Sequence, residues 1–272
     1  MSDPVSGPVP GPAALGMYDR AELRSETDTL WAAIRDALRA DGVDAPERLT
    51  CTDPEALWEA PDLVLAQTCG LPYALRLSGQ VVLVGTPAYR IEGCGPGEYR
   101  SALVVRADDP AEDLSEMAGR AVAVNAVHSQ SGHSALRHAV APLAKDGRFL
   151  GAALLTRSHA ASIVAVADGR ADLAAIDAVT WALAERHDPV TARLRVLAWT
   201  EPTPGLPLIA GPDADAAATR RAVAAGIAAV PDAVRDALML DGLKGFGPAD
   251  YAPLAVRFRK AEAASSLVFE AV

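Results

Sequence analysis

The chain has 272 residues, enough for two domains of about 100–150 residues each, and a formal net charge of −10. Half of the residues are hydrophobic and only 5% are aromatic, which favours alternating helices and buried strands over an aromatic-rich β-sandwich. The 25 Lys and Arg residues are scattered, which argues against a nucleic-acid partner, and no apolar run reaches the about 18 residues of a membrane span.

The residue pattern of the N-terminal part predicts a disordered start, followed by strands and one helix. Residues 1–12 are rich in Pro, Gly and Ser and are predicted to be disordered. A helix is predicted over 25–40, where apolar residues recur at helical spacing and Gly42 ends the pattern. Strands are predicted at 13–17, 62–67, 81–86 and 101–106, with a Gly-rich loop at 93–97.

The rest of the chain predicts further strands separated by helices. The strands are predicted at 121–125, 172–176 and 194–199, and the helices from about 131, at 158–168, 179–185, 214–229 and 233–240. The stretch 242–247 is predicted to end a helix and turn. Strands that alternate with helices favour parallel βαβ units.

Four of the predicted strands end in polar or aromatic residues. Ligands of parallel α/β sheets bind at the carboxyl ends of the strands, so these ends are candidate binding positions. Any single one of them also fits an ordinary turn or helix cap. The positions are Tyr18, Gln67 with Thr68, the segment from Asn125 to Ser131, and Asp177.

The junction between the strand 121–125 and the next helix predicts an anion site. Ser129 and Ser131 carry hydroxyl donors, and Gly132 lets a ligand approach the backbone closely. The N–H groups at a helix N-terminus carry partial positive charge, and those of Ser131, Gly132 and His133 are predicted to face the same oxygens. The alternative is an ordinary N-cap, since Ser commonly precedes a helix.

His159 and Asp177 extend this prediction, and each has a simpler alternative. His159 follows the predicted N-cap Ser158, where its ring can hydrogen-bond an anion or lie exposed in the first helical turn. Asp177 can accept a hydrogen bond from a protonated phosphate or phosphonate oxygen, or from the ammonium group of an amino-phosphonate. Asp177 also fits the N-cap of the following helix.

Other chemistries lack their sequence signatures. His128, His133 and His138 are spaced by five, which sets successive rings about 140° apart around a helix, so no metal site is predicted. No Gly-x-Ser-x-Gly or Gly-x-x-x-x-Gly-Lys motif is present. We therefore expect no cofactor and no catalytic residue.

The three cysteines, Cys51, Cys69 and Cys94, cannot all pair within one chain. Cys69 and Cys94 allow one disulfide. Free thiols that pack as small apolar groups are the alternative, and the spacing does not decide between the two.

A series of short motifs runs through the chain in a fixed order. These motifs are Met17-Tyr18-Asp19, Gln67-Thr68-Cys69-Gly70 with Pro72-Tyr73, Tyr99-Arg100-Ser101, Asn125 with Ser129-Gln130-Ser131-Gly132, Ser158-His159 with Ser162, Gly169-Arg170-Ala171-Asp172, and Ala175-Ile176-Asp177. Together they resemble the phosphate/phosphite/phosphonate-binding family, the solute-binding components of ABC uptake transporters. The resemblance runs from about Tyr18 to Leu208, and more weakly to Tyr251.

The resemblance implies an α/β fold of the type II periplasmic-binding-protein kind, with two lobes, two crossover strands and an interlobe ligand cleft. Lobe 1 is expected at about 1–101 plus 197–272, and lobe 2 at about 102–196. In lobe 2 the anion is expected to contact Ser129, Ser131, the adjacent N–H groups and His159. In lobe 1 it is expected to contact Tyr18, Gln67 and Thr68. Asp177 is expected to accept a hydrogen bond from a protonated ligand oxygen or from an amine. His133 departs from the family, where Tyr or another larger neutral residue is expected.

The function implied by the resemblance is capture of a small tetrahedral oxyanion, a phosphonate, phosphate or phosphite, for ABC-type uptake without any chemistry. An ABC permease is the expected partner and a monomer the expected state. The alternative is a cytoplasmic enzyme of the lyase type, or a sensor, that binds a small carboxylate or oxyanion on the same scaffold. The start of the sequence lacks a secretory signal, so the chain as written is expected in the cytoplasm, or in the periplasm if a signal was removed or the start is misassigned.

Overall fold

A computed structural model describes residues 10–50, 54–264 and 267–269. Residues 1–9 of the stretch predicted to be disordered, and Cys51, lie outside the described residues. Residues 10–12 have no regular secondary structure, but the Pro12 carbonyl accepts a hydrogen bond from the Val64 N–H at 2.9 Å. Cys69 and Cys94 are both free thiols.

The described residues form strands and helices of mixed lengths, and the predicted α/β class is confirmed. The strands are β1 (Ala13–Ala14), β2 (Leu65–Gln67), β3 (Val82–Tyr89), β4 (Glu98–Tyr99), β5 (Ser101–Arg106), β6 (Val122–Val124), β7 (Ala152–Leu155), β8 (Leu173–Asp177), β9 (Leu194–Trp199), β10 (Thr203–Pro204), β11 (Leu208–Ala210), β12 (Leu240–Lys244) and β13 (Val268–Phe269). The α-helices are α1 (Arg24–Ala40), α2 (Gly70–Pro72), α3 (Ala135–Val140), α4 (His159–Ala167), α5 (Ala178–His187), α6 (Ala216–Ala229), α7 (Asp232–Ala237) and α8 (Pro248–Ala264).

Several predicted elements differ from the observed ones. The strand predicted at 13–17 is shorter, because a 3₁₀ turn already begins at Gly16. The stretch 242–247, predicted to end a helix and turn, instead contributes to β12. Strands β7 and β11 and helix α8 were not predicted at all.

Unit 1 consists of the described residues within Met1–Thr68, Arg76–Ala88 and Leu206–Gly247. Its sheet has the order β1-β2-β11-β3-β12, with β1 parallel to β2, and β11 antiparallel to both of its neighbours. Helix α1 packs against α6, and a Cβ at Gly226 would lie 2.6 Å from the Cα of Ile34. This close packing therefore requires glycine at that position.

Unit 2 consists of Cys69–Leu75, Tyr89–Gly205 and the described residues within Pro248–Val272. Its main sheet has the order β13-β7-β6-β8-β5-β9, and β4 pairs with β10 in a separate antiparallel ribbon. The predicted parallel arrangement is confirmed for β6, β7 and β8. It is wrong for β5, which runs antiparallel to both β8 and β9.

The main sheet of unit 2 is buried on both faces. Val104 of β5 belongs to a cluster with Ile163 and Trp181 of α4 and α5, whereas Leu103 belongs to a cluster with Leu136 of α3. Successive strand residues point to opposite faces, so helices cover the sheet on both sides. This layering places the starts of α3, α4 and α5 next to strand ends.

The bounds of the two units differ from those expected for the two lobes. Residues 69–75, 89–101, 197–205 and the described residues within 248–272, all of them expected in lobe 1, fall within unit 2. The reason is packing: Tyr251 of α8 makes an edge-to-face contact with Tyr73, and β13 pairs with β7. Within the described ranges, no helix is long and apolar enough to cross a membrane.

Candidate functional site

The junction between β6 and α3 is a capped helix start, as predicted. Ser129 has extended backbone angles, and its hydroxyl accepts a hydrogen bond from the Gly132 N–H at 3.0 Å. The first turn, Gln130–Ser134, is π-helical and runs directly into α3. The N-cap interpretation of Ser129 is therefore confirmed, and the Ser129 hydroxyl keeps its own hydrogen for a further acceptor.

Ser131 links this turn to two other elements of unit 2. Its Oγ lies 3.0 Å from Nε2 of His159 at the start of α4, and its carbonyl accepts a hydrogen bond from the Ser101 hydroxyl at 3.0 Å. Only 5% of Ser131 is exposed. The hydroxyl is thus held at a fixed position rather than free on the surface.

The space beside the Gly132 Cα is filled by the side chain of Asn125. A Cβ at this residue would lie 1.8 Å from Oδ1 of Asn125, so only glycine fits. Asn125 follows directly after β6, and its Oδ1 is buried with no hydrogen-bond partner within the described residues. The close approach expected of a ligand at Gly132 is made here by the Asn125 amide.

His159 is the first residue of α4, after the N-cap Ser158, whose hydroxyl accepts from the Ala161 N–H at 3.1 Å. Burial lowers the pKa of His159 to about 4, against the opposing effect of the Ala175 carbonyl. Its Nδ1 is buried and has no hydrogen-bond partner of good geometry among the described residues. At neutral pH, His159 is therefore an uncharged partner of the Ser131 hydroxyl.

The His133 side chain lies in an aromatic environment. Its Nδ1 hydrogen-bonds the Val127 carbonyl, and its ring makes edge contacts with Phe258 and Phe269 at centroid distances of 6.2 Å and 6.0 Å. Burial lowers the pKa of His133, and its Nε2 has no hydrogen-bond partner in the part of the chain that the structure describes. The contacts of this ring are thus with the C-terminal elements, and not with Ser131 or Asn125.

Asp177 ends β8 and caps α5. Its Oδ1 accepts hydrogen bonds from the N–H groups of Val179 at 2.8 Å and Thr180 at 3.1 Å. It faces Ser101 in the register of β5 and β8, and it is 2% exposed. The cap interpretation is confirmed, and the same pairing places Asp177 opposite Ser101, whose hydroxyl donates to the Ser131 carbonyl.

Tyr99 joins this cluster, although the sequence did not single it out as a site residue. The side chain is 2% exposed, and burial raises its pKa well above the usual value, with further contributions from Cys69 and Asp177. The Ser131 side chain lies near enough to oppose this shift, but the phenol has no hydrogen bond of good geometry to any described residue. The available signal was its place two residues before Ser101 in a family motif.

Buried polar atoms without partners are concentrated around this turn. Besides Asn125 Oδ1 and His133 Nε2, they include Oε1 of Gln130 and Oγ of Ser134, judged against the described residues. The Gln130 N–H donates to Cys69 Sγ at 3.4 Å. Buried polar groups in proteins are nearly always hydrogen-bonded, so such a cluster indicates a place where a ligand supplies partners.

The candidates in unit 1 also lie at strand ends. Tyr18 ends a 3₁₀ turn shortly after β1, and Gln67 is the last residue of β2. The Gln67 side chain donates to the Leu206 carbonyl at 3.4 Å, and the Thr68 N–H donates to the Pro207 carbonyl at 2.9 Å. Gln67 and Thr68 are both buried.

The structure thus brings Asn125, Ser129, Ser131, Gly132 and His159 together in unit 2, with Tyr99 and Asp177 beside them. Every hydrogen bond described for this group involves neutral donors. Among the described residues, no cluster of three or more His, Cys, Asp or Glu side chains is arranged to hold a metal ion. The Gly132 N–H, which was expected to face the ligand, instead donates to Ser129 Oγ. The group therefore offers the hydroxyl donors of Ser129 and Ser131 at a helix start, which suits an anion.

The fold of the chain is similar to that of solved two-lobed periplasmic binding proteins. A phosphonate ABC transporter binding protein from Pseudomonas aeruginosa is 16% identical with a TM-score of 0.72, covering 95% of this chain and 89% of that chain. PhnD1 from Prochlorococcus marinus, solved with methylphosphonate, is 14% identical with a TM-score of 0.72, covering 93% and 98%. The aliphatic sulphonate binding protein SsuA from Escherichia coli is 15% identical with a TM-score of 0.59, covering 96% and 90%.

The fold is therefore that of the two-lobed periplasmic binding proteins. The family model for the periplasmic substrate-binding protein of phosphonate ABC transporters matches residues 62–254, and the chain belongs to this family. No curated protein matches the chain. The family consists of transport components that capture solutes, not of enzymes, and its members work with an ABC permease.

Proposed function

We propose that this protein binds a phosphonate, or a closely related tetrahedral oxyanion such as phosphate or phosphite, at the capped turn of unit 2. The observation that carries the proposal is the contact between the capped turn before α3, with Ser129 and Ser131, and His159 at the start of α4. Family membership supports it, as does the methylphosphonate bound to the similar PhnD1. Each charge-assisted hydrogen bond to the oxyanion contributes about 1.5–3 kcal/mol.

The donors proposed for the oxyanion are hydroxyl groups that stay protonated at neutral pH. Ser129 donates while still accepting from the Gly132 N–H, and Ser131 turns its hydrogen from His159 to the ligand. Tyr99 is a third donor, because its raised pKa keeps the phenol neutral. The helix start adds the partial positive charge of its backbone N–H groups.

His159 is proposed to respond to the charge of the ligand. In the ligand-free protein its lowered pKa leaves it neutral at pH 7. An anion within reach of Ser131 stabilises the imidazolium form, so binding raises the pKa of His159. The protein is therefore proposed to take up a fraction of a proton with the ligand at mildly acidic pH.

The remaining candidates are proposed to select the ligand. Asp177 is proposed to accept from a protonated ligand oxygen or from an ammonium group, while its Oδ1 also caps α5. Asn125 and Gly132 are proposed to shape the site. His133, whose ring packs against Phe258 and Phe269, is proposed to influence the size of the site. Tyr18, Gln67 and Thr68 are proposed to add contacts from unit 1.

Family membership also supports a proposal for the partner and the compartment of this protein. A substrate-binding protein of this family delivers its solute to an ABC permease, and we propose that this chain does so as a monomer in the periplasm. A cytoplasmic location is the competing proposal. Fractionation of cells expressing the full gene product distinguishes the two.

Calorimetry with a ligand panel tests the proposed function. The panel consists of methylphosphonate, 2-aminoethylphosphonate, phosphate, phosphite, sulfate, acetate and succinate. We expect at least one phosphorus oxyanion to bind more tightly than every carboxylate. A preference for the carboxylates would overturn the proposal and favour the alternative of a carboxylate-binding enzyme or sensor.

A further inference from the structure

A cavity lies in unit 2, beside α3, with a volume of about 330 Å³. This α3 cavity is lined by residues of α3 and its first turn, by the segment after β9, and by α8. Its lining includes Gln130, Ser134, Ala139, Trp199, Glu201 and Arg257. Its volume lies at the lower end of the range of about 300–1,000 Å³ found for small-molecule sites.

The α3 cavity is separate from the proposed oxyanion site. Gln130, Ser134 and His138 are four residues apart and so lie along one side of the helix. Ser131 instead faces His159, and neither of them lines the α3 cavity. The two sites therefore share the same helical turn but use different sides of it.

Two buried residues lining the α3 cavity lack hydrogen-bond partners for side-chain atoms. These are Oε1 of Gln130 and Oγ of Ser134, within the portion of the chain that is described. The residues are only 2% and 1% exposed, so their polarity carries a cost unless a partner is supplied. Gln130 Oε1 requires a donor, and Ser134 accepts either a donor or an acceptor.

Two opposite charges also line the α3 cavity. The Arg257 guanidinium lies 3.4 Å from the Glu201 carboxylate, and these side chains are 34% and 72% exposed. An exposed ion pair of this kind contributes little to stability, so a competing ligand can replace it at low cost. The arrangement offers one cationic and one anionic group side by side.

The rest of the lining is largely apolar. Trp199 is 40% exposed although it lines the α3 cavity, and the Arg100 guanidinium lies 4.2 Å from the centre of its ring. Leu114, Ala139 and Pro142 contribute further apolar surface. A ligand with an apolar body gains free energy by covering this surface.

We infer that the α3 cavity binds an apolar α-amino acid. The carboxylate pairs with Arg257, the ammonium group donates to Glu201 and Gln130, and the side chain packs on Trp199 and Ala139. A zwitterion satisfies both charges at once, which neither a simple acid nor a simple amine does. The inference goes beyond the proposed capture of an oxyanion and stands independently of it.

Isothermal calorimetry with leucine and phenylalanine, each at up to about 10 mM, tests the inference on the full chain. We expect binding of at least one of them without any phosphorus compound present. The matched acid 4-methylpentanoate and the matched amine isopentylamine are expected to bind at least tenfold more weakly than leucine. Arg257→Gln is expected to weaken amino-acid binding at least tenfold, whereas Arg259→Gln, an exposed change on the same helix, leaves it unchanged.

Ala139→Phe, which fills the α3 cavity, is a second variant with the same expected loss. Absence of binding by both amino acids in the folded wild-type protein would overturn the inference. Equal binding to the Arg257→Gln and wild-type proteins would do the same. Neither result affects the oxyanion proposal, because that is measured with phosphorus compounds alone.

Discussion

The Ser131 hydroxyl and the His159 ring are joined at 3.0 Å between Oγ and Nε2, across the starts of two helices. This pair connects the turn before α3 with the first residue of α4. Because His159 is uncharged at neutral pH, the pair has no net charge of its own. An arriving anion therefore meets donors and not a pre-existing salt bridge.

Replacement of Ser131 tests the centre of the site. Ser131→Ala removes one donor to the oxyanion, and we expect the affinity for the preferred phosphorus ligand to fall about 10- to 100-fold. Calorimetry on the purified variant measures the change. Ser115→Ala, at an exposed serine of the same unit, is the control and should bind like the wild type. Unchanged affinity of Ser131→Ala would remove this residue from the site.

Gly132 and Asn125 form a pair that tests the packing of the turn. Gly132→Ala forces the new methyl group onto Asn125 Oδ1, so we expect a lower melting temperature and weaker oxyanion binding. The double variant Gly132→Ala/Asn125→Ala removes the clash and should recover part of the lost stability. Thermal unfolding of the two single variants and the double variant gives the coupling. Strictly additive effects would show that the clash is not the cause.

Tyr99 and Tyr251 make a matched comparison of two buried phenols. Tyr99→Phe removes a hydroxyl that makes no well-formed hydrogen bond to the described residues, so stability should hold while oxyanion affinity falls about tenfold. Tyr251→Phe removes a hydroxyl that donates to the Gly205 carbonyl at 2.9 Å, so stability should fall by about 1 kcal/mol. Denaturant unfolding and calorimetry on both variants separate these outcomes. The reverse pattern would argue against Tyr99 as a ligand donor.

The pH dependence of unfolding follows from the pKa of His159. In the folded protein this pKa is about 4, against 6.5 for an ordinary histidine, so the unfolded chain binds more protons between these values. Stability is therefore full above pH 6.5 and declines as the pH falls towards 4. His133 acts in the same direction, because burial lowers its pKa too.

His159→Gln should make this decline shallower, as measured by denaturant unfolding between pH 7 and pH 4.5. His128→Gln, at an exposed histidine, should keep the wild-type slope. A slope in His159→Gln equal to that of the wild type would show that another group sets the acid sensitivity.

Much of the site was predictable because its signals are local. Ser129 before an Ala/Leu-rich stretch and Asp177 before α5 have the residue types that cap helices, and both do so. The helix start near residue 131 was likewise predicted from spacing alone. Short-range hydrogen bonding of this kind depends on only a few adjacent residues.

The features that were not predicted depend on partners distant in the chain. Strand β12 contains Asp241 and Gly242, which are poor strand formers, and it exists because it joins the edge of the unit 1 sheet. Helix α8 contains Pro253, which weakened its pattern. The close contact of the Asn125 amide with Gly132 also depends on the three-dimensional fold.

The pairing of β13 with β7 has a consequence for how the protein is made. Unit 2 begins with Cys69–Leu75, continues through Tyr89–Gly205 and is completed only by residues after Pro248. A nascent chain still on the ribosome thus holds the apolar edge of β7 uncovered until α8 and β13 emerge. Unit 2 therefore reaches its native form late, after translation has passed through the sequence of unit 1.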